Sequence, residues 1–474
     1  MQARITPGKL NGKIDAVSSK SYLHRMILCA ALSESDTVIY LNCRSKDVDA
    51  TIRCAEAMGA KVEVRDGKVV VHPVKHALGA PIVGAEDDPA RMLAAQEAKV
   101  SKASKASDGC VSTPPLLDCG ESGSTARFVL PMTVAVCGGG TLVGAGRLPE
   151  RPFGAICTVM EENGCSFSSY SLPMTVTGPL KSGVYRIPAN ISSQYISALM
   201  MSLPLVDGDS EIVFTTEVES EGYLDITESV MNDFGMVLVK TKNGYKIKGN
   251  RRYRSPGEIT AEGDWSNGAF WVAANALGCG LEIGNLKEGS LQRDCRIVDV
   301  ARKLFLGETQ QELESVGKAA GGSALAVQSE TEAMAAEVAA GNVNEEITVD
   351  GADIPDIIPI SAIMACGRVG RTRFTNCHRL RLKESDRLMS VASIICTLGG
   401  SAIVEKDDLI VDGCGKLVGG EVDSFVDHRI VMSAAIAATI CTGEVVINNA
   451  QDVAKSYPNF FEDYCDLGGK VEIR

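Results

Sequence analysis

A short amphipathic helix ending in glycine, then a strand, a turn and a second strand, recurs along the chain. Its copies read VDATIRCAEAMGAKVEVRDGKVVVHP, FGAICTVMEENGCSFSSYSLPMTVTG, DITESVMNDFGMVLVKTKNGYKIKG, LMSVASIICTLGGSAIVEKDDLIVDG and, last, NFFEDYCDLGGKVEIR. A weaker copy, CRIVDVARKLFLGETQQELE, has the helix and the glycine but no evident strand after them. Such a repeat constrains the fold strongly, because each unit must bury its apolar face against neighbours of the same kind. The glycines at 59, 164, 235, 307, 399 and 468 suit left-handed helix caps, and the strands that follow alternate with period two. Successive intervals of 71, 72 and 69 residues are nearly equal, whereas those of 105 and 92 contain segments of different character. Residues 86–112 are polar and biased to Ala, Lys and Ser, and residues 308–345 are acidic and rich in Ala and Gly. Both read as surface insertions. An α/β protein of six units, three in each of two domains, is the expectation for 474 residues.

Composition narrows the function. A hydrophobic fraction of 45% with 23% charged residues is that of a globular chain, and a net charge of −13 argues against a broad nucleic-acid surface. Anionic small molecules remain open, since a local basic cluster can sit in an acidic protein. The start, MQARITPGKLNGKIDAV, has neither the apolar core of a secretory signal nor the bias of a transit peptide. The uncharged run from Phe128 to Gly146 is broken by Pro131 and three glycines at 138–140, so a buried helix and turn are expected, not a membrane span. The 16 cysteines are scattered without any CxxC, and among five histidines His72 and His76 are separated by Pro73. Buried thiols in a reducing, cytoplasmic setting are expected, with no metal and no cofactor.

Several segments concentrate cations with small residues at helix starts, where free backbone amides favour anions. They are Ser18-Ser19-Lys20-Ser21-Tyr22-Leu23-His24-Arg25, the Gly/Ser turn Cys119–Arg127, the Arg147 and Arg151 pair beside prolines, and Ser192-Ser193-Gln194. Plain helix caps and surface cations account for each of these at least as well. Asp356 lies between Pro355 and Pro359 in apolar surroundings, where a carboxylate with a raised pKa would serve as a base; a helix cap is the other reading. Arg379–Leu388 (RLRLKESDRL) alternates cations and carboxylates densely enough for a salt-bridged helix start. Asp427-His428-Arg429 and Lys455-Ser456-Tyr457 precede the last two apolar helices. Together Lys20, Arg25, Arg127, Arg151, Lys383, Arg387, Arg429 and Lys455 make a positive cleft if these helix starts converge.

Taken in order, SSKSYLHR, LKESDRL, DHRIVMS and AKSYPNFFEDY resemble the enolpyruvylshikimate phosphate synthase family over nearly the whole chain. The resemblance implies two domains, each of three βαβαββ-like units: residues 1–18 with 263–474, and residues 19–262, the active site lying in the cleft between them. It implies transfer of the enolpyruvyl group of phosphoenolpyruvate to the 5-hydroxyl of shikimate 3-phosphate, with release of phosphate, on the route to chorismate and aromatic amino acids. Asp356, Glu384 and Lys20 then match catalytic positions. Lys20, Ser21, Arg25, Ser192, Ser193, Gln194, Ser220, Asp356 and Lys383 match shikimate 3-phosphate positions. Lys20, Gly123, Arg151, Gln194, Arg387, Arg429 and Lys455 match phosphoenolpyruvate positions, a subsite that glyphosate shares in this family. A monomer acting on two small anions, without nucleic acid or membrane, is implied. One departure stands out: the family's Asn-Ala-Gly-Thr loop is Glu121-Ser122-Gly123-Ser124 here, which puts a carboxylate beside an anion site. The related enolpyruvyltransferase acting on UDP-N-acetylglucosamine carries a cysteine in its mobile loop, and the matching GAGRLPERPFG has none. A catalytically inactive repeat scaffold would not need both carboxylates and all the matched cations.

Overall fold

All six cap glycines have positive φ, between 69° and 107°, so each helix ends where a side chain on the next residue would be strained. The computed structural model describes residues 1–74, 114–219, 221–307 and 346–474. Both expected insertions fall largely or wholly outside these residues, as does Ser220.

Each unit is built as strand, helix, parallel strand, helix, then an antiparallel hairpin. The third shows it plainly: Val184–Ile187, helix Ser193–Ser202, Ser210–Phe214, helix Gly222–Asp233, and the hairpin of Val239–Thr241 with Gly244–Ile247. Its first two strands pair in parallel, and the hairpin adds antiparallel to the second. Four further four-stranded sheets repeat this order. In the sixth, among the described residues, only the parallel pair of Asn11–Asp15 with Gly280–Gly284 is present.

Two more units are completed from distant sequence. Glu258–Thr260 supplies the first strand of the unit holding helix Lys20–Ala31, pairing parallel with Thr37–Tyr40. At the other end, Lys470–Ile473 has no following strand of its own. Gln2–Thr6 takes that place, lying antiparallel between Val445–Asn448 and Lys470–Ile473.

The buried apolar residues divide into two cores. One runs from Tyr22 to Ala261; the other joins Ala3–Val17 to Trp265–Leu467. The chain crosses between them twice, at Ser18-Ser19 and at Glu262-Gly263, and the crossings are bonded to each other. Ser19 N–H donates to the Glu262 carbonyl at 2.7 Å, and Asp264 N–H to the Val17 carbonyl at 2.7 Å. Gln292 clasps both: its Oε1 accepts from Ser19 Oγ, while its Nε2 donates to Glu262 and to the Gly263 carbonyl. The run read as a buried helix and turn is helix Gly123–Cys137, with Pro131 inside it and Gly138 in the left-handed cap. No helix among the described residues is long and apolar enough to cross a membrane.

The cap glycines differ in what surrounds them. A Cβ at Gly468 would meet nothing within 4 Å, whereas one at Gly399 would sit 2.7 Å from Val418 Cγ2. Gly468→Ala should therefore lose only the left-handed penalty, about 1–2 kcal/mol, and Gly399→Ala clearly more. Denaturant unfolding of the two variants checks the order; equal losses would mean that Val418 yields freely.

Candidate active site

The first helix of every unit opens on the same cleft. Lys20 and Ser21, Gly123 and Ser124, Ser193 and Gln194, Ser266 and Asn267, and His428 and Arg429 belong to first turns; Asp356 stands just before helix Ile358–Cys366. Six N-termini bring their positive dipole ends to one place. The walls add Lys20, Arg127, Arg151, Arg379, Lys383, Arg387 and Arg429 against Asp47, Asp264, Asp356 and Glu384. Cations exceed carboxylates in this one region of an acidic chain, so the cleft selects anions.

Arg387 anchors the carboxylate side. Its guanidinium is 1% exposed, and it donates to Asp356 Oδ1 at 2.7 Å, Glu384 Oε2 at 2.7 Å and Asp427 Oδ2 at 2.8 Å. Asp427 is fully buried and also caps helix His428–Ala437 through Arg429 N–H. Burial alone would lower the Arg387 pKa; Asp427, Glu384 and Asp356 together raise it. The segment read as a salt-bridged helix start is a 3-10 turn, His378–Leu382, and the helix begins only at Arg387.

Asp356 corrects an expectation. Burial pushes its carboxyl up, but Lys383, Arg429 and Arg387 outweigh it and hold the group well below the carboxylate range. Lys383 Nζ lies 3.3 Å and Arg429 Nε 3.5 Å from Oδ1, while Tyr223 donates to Oδ2 at 2.8 Å. The raised pKa inferred from apolar neighbours in sequence fails because three cations arrive from elsewhere in the chain. Glu384 is likewise ionised: against the upward effect of burial stand Arg387, Lys455 and Arg151. Lys383 is pulled down to about 8, first by burial and then by Arg379 and Arg387, with Asp356 opposing.

Gly123 faces Arg151 and Arg127, whose Nη1 atoms lie 2.5 and 2.9 Å from where a Cβ would stand. Arg127 donates to Gln194 Oε1 at 2.7 Å, and Gln194 Nε2 donates to Ser124 Oγ at 2.7 Å, tying two helix starts together. Lys20 Nζ pairs with Asp47 Oδ2 at 2.9 Å. Ser192 caps its helix by accepting from Gln194 N–H. Lys455 sits in an adjoining recess, 3.9 Å from Glu384 and 3.4 Å from Glu121. The unusual Glu121 thus reaches across to a cation of the opposite core.

Arg25 is the outlier. It lies behind the cleft wall, bonded to Thr227, Ser197 and the carbonyls of Ser21 and Tyr223, all neutral. Burial lowers its pKa to about 10. Asp47, Tyr223, Asp427 and Arg379 complete the site without having been singled out as site residues, although Arg379 opens the RLRLKESDRL segment and Asp427 the Asp-His-Arg motif.

An α/β chain with two cores and an anion-selective cleft between them, lined by six helix N-termini, is a defined class of protein. A family profile, "EPSP synthase (3-phosphoshikimate 1-carboxyvinyltransferase)", matches residues 5–95 and 88–464. Proteins named 3-phosphoshikimate 1-carboxyvinyltransferase are 34% identical in Clostridium beijerinckii, with 98% of this chain and 97% of the relative aligned. In Clostridium perfringens the identity is 35%, with 98% of each chain covered. A solved EPSP synthase from Acinetobacter baumannii superposes over the full length of both chains with a TM-score of 0.71 at 22% identity. The chain belongs to the EPSP synthase family.

Removing Arg387 would leave three carboxylates short of their cation. Arg387→Met should cost about 3–5 kcal/mol at neutral pH. The stabilisation from ionised Asp356 and Glu384 is present above the ordinary carboxylate range and is lost as pH falls through their depressed values. The gap between wild type and variant should therefore narrow below about pH 4. Denaturant unfolding across pH 3–8 measures it; a gap independent of pH would show that the carboxylates are not what the arginine stabilises.

Proposed function

We propose that this chain transfers the enolpyruvyl group of phosphoenolpyruvate to the 5-hydroxyl of shikimate 3-phosphate, releasing phosphate, in aromatic amino acid biosynthesis. The observation that carries this reading is the ionised Asp356, set among Lys383, Arg387 and Arg429 on the wall of an anion-selective cleft. The reaction needs a base for the hydroxyl proton, an acid for the methylene carbon and charge stabilisation for two phosphorylated reactants. Asp356 is the base. In the free protein the cations depress its proton affinity; two anionic substrates engage those cations and raise it toward the working range. Glu384, held by the same guanidinium as Asp356, and Lys20 exchange the proton that goes to the methylene carbon.

Lys383, Ser192, Ser193, Gln194, Ser21, Ser220 and Arg25 serve shikimate 3-phosphate, Arg25 by orienting the first turn that holds Ser21. Gly123, Arg151, Gln194, Arg387, Arg429, Lys20 and Lys455 serve phosphoenolpyruvate, where planar arginines suit carboxylate and phosphate. The division of the buried residues supports domains of 1–18 with 263–474 and of 19–262. The chain works as a monomer in the cytoplasm, with residues 86–112 and 308–345 as surface insertions.

A phosphate-release assay tests the substrate: turnover with shikimate 3-phosphate and none with UDP-N-acetylglucosamine is expected, and the reverse result overturns the reading. In the same assay Asp356→Asn should lose about 10²–10⁴-fold in kcat, the usual weight of a general base, with substrate binding retained. Near-normal turnover would remove Asp356 from the chemistry.

Gly123→Ala should press on Arg151 and Arg127. A severalfold rise in KM for phosphoenolpyruvate is expected, with a larger rise in the inhibition constant of glyphosate. Inhibition curves at matched saturation check this, and unchanged constants would refute the assignment of Gly123.

A further inference from the structure

Behind the cleft wall, four side chains on three helices form one hydrogen-bonded line. His24 Nδ1 lies 2.6 Å from Thr51 Oγ1, Thr51 Oγ1 lies 2.7 Å from Thr125 Oγ1, and Thr125 Oγ1 lies 2.7 Å from Ser122 Oγ. His24 is 1% exposed and the other three are at 0%. Counting protons gives the line a direction. Thr125 spends its single hydroxyl proton on Ser122, so Thr51 must donate to Thr125, and Thr51 must then accept from His24. His24 is thereby a neutral imidazole with its proton on Nδ1. Burial, reinforced by Lys20 and Arg25 and opposed by Asp47, holds its pKa at about 3, which keeps the ring neutral at every working pH.

The line ends at the turn that matters most for the anion. Ser122 Oγ also accepts from Thr125 N–H and so caps helix Gly123–Cys137. The Asp47 carbonyl lies 3.3 Å from Thr125 Oγ1, and the Asp47 carboxylate pairs with Lys20. Three pieces of the cleft wall (the Lys20 start, Asp47 and the Gly123 turn) are joined through Thr51, which itself does not line the cleft. We propose that Thr51 is a positioning residue that sets the Gly123 turn against Lys20 and so fixes the width of the phosphoenolpyruvate subsite. The proposal rests on the assignment of Gly123 to that subsite. Without the Thr51 hydroxyl, the His24 N–H loses its acceptor and Thr125 its donor in a dry interior, and the turn relaxes to repair them. With Arg151 and Arg127 packed tightly against Gly123, a small shift reaches both guanidinium groups.

Thr51→Val keeps the shape and removes the hydroxyl. In steady-state assays with each substrate varied, its KM for phosphoenolpyruvate should rise about tenfold, the factor for one ordinary buried hydrogen bond. Its kcat should stay within about twofold and its KM for shikimate 3-phosphate should be unchanged. Thr51→Ser should restore the wild-type constant. Thr133→Val, which alters a buried threonine farther along helix Gly123–Cys137, should lower Tm without moving either KM. An unmoved KM for phosphoenolpyruvate in Thr51→Val, or an equal rise for both substrates, overturns the proposal. Gly123→Ala in the same assay separates the two failures: if it responds while Thr51→Val does not, only the positioning role falls. Should Thr51→Val not fold, ¹⁵N NMR of the wild type decides, since an Nε2–H tautomer at His24 contradicts the line.

Discussion

Six helices aim their N-termini into one cleft, and most of what is unusual about this chain answers to that convergence. Positive dipole ends and seven cations in a confined space repel one another. Carboxylates hold them: Asp47 on Lys20, Glu384 near Arg151 and Lys455, and above all Asp356, Glu384 and Asp427 around Arg387. Such buried pairs contribute little net stability, since desolvation offsets most of their attraction. What they supply is placement. A guanidinium bound on three sides has one orientation, and the carboxylates it holds keep theirs.

Pairs between the two cores obey the same balance. Tyr223 to Asp356, Arg151 to Glu384, Lys455 to Glu121 and Arg293 to Asp225 all join residues on opposite sides. Under the assignment proposed above, several of these partners serve the two anions, so substrate and protein carboxylates would compete for the same cations. Binding energy is then the difference between two sets of ion pairs, which favours ligands with more charge and better geometry than a side-chain carboxylate.

The repeat was legible because its signals are local. A glycine after an amphipathic helix and a period-two hairpin report on a few consecutive residues, and every cap glycine took the left-handed conformation read from it. Pro131 and the glycines after it marked a buried helix for the same reason. What sequence did not show depends on neighbours far along the chain. The Asp356 pKa was misjudged because Lys383, Arg387 and Arg429 lie 27 or more residues away. Arg25 looked like a wall residue beside Lys20, yet a helical turn directs it behind the cleft. Asp47 drew no reading in sequence and Asp427 only as part of Asp-His-Arg; Asp427 caps its helix, and that each also holds a cleft cation is visible only in three dimensions. Strand Gln2–Thr6 is the same lesson for the fold, since nothing local says that it closes the final hairpin.

That closing strand has a consequence for the order in which the chain matures on the ribosome. The core from Tyr22 to Ala261 is contiguous, and its last sheet partner, Glu258–Thr260, emerges as soon as the segment ends. The other core cannot finish in the same way. Its opening strands, Gln2–Thr6 and Asn11–Asp15, are synthesised first and must wait for Val445–Asn448, Lys470–Ile473 and Gly280–Gly284. For most of translation strand Gln2–Thr6 is unpaired beside a finished neighbour, and its sheet forms only once Lys470–Ile473 has emerged. Such long-separation pairing is slow, so the interval before Lys470–Ile473 emerges is the point at which this chain most needs protection from aggregation.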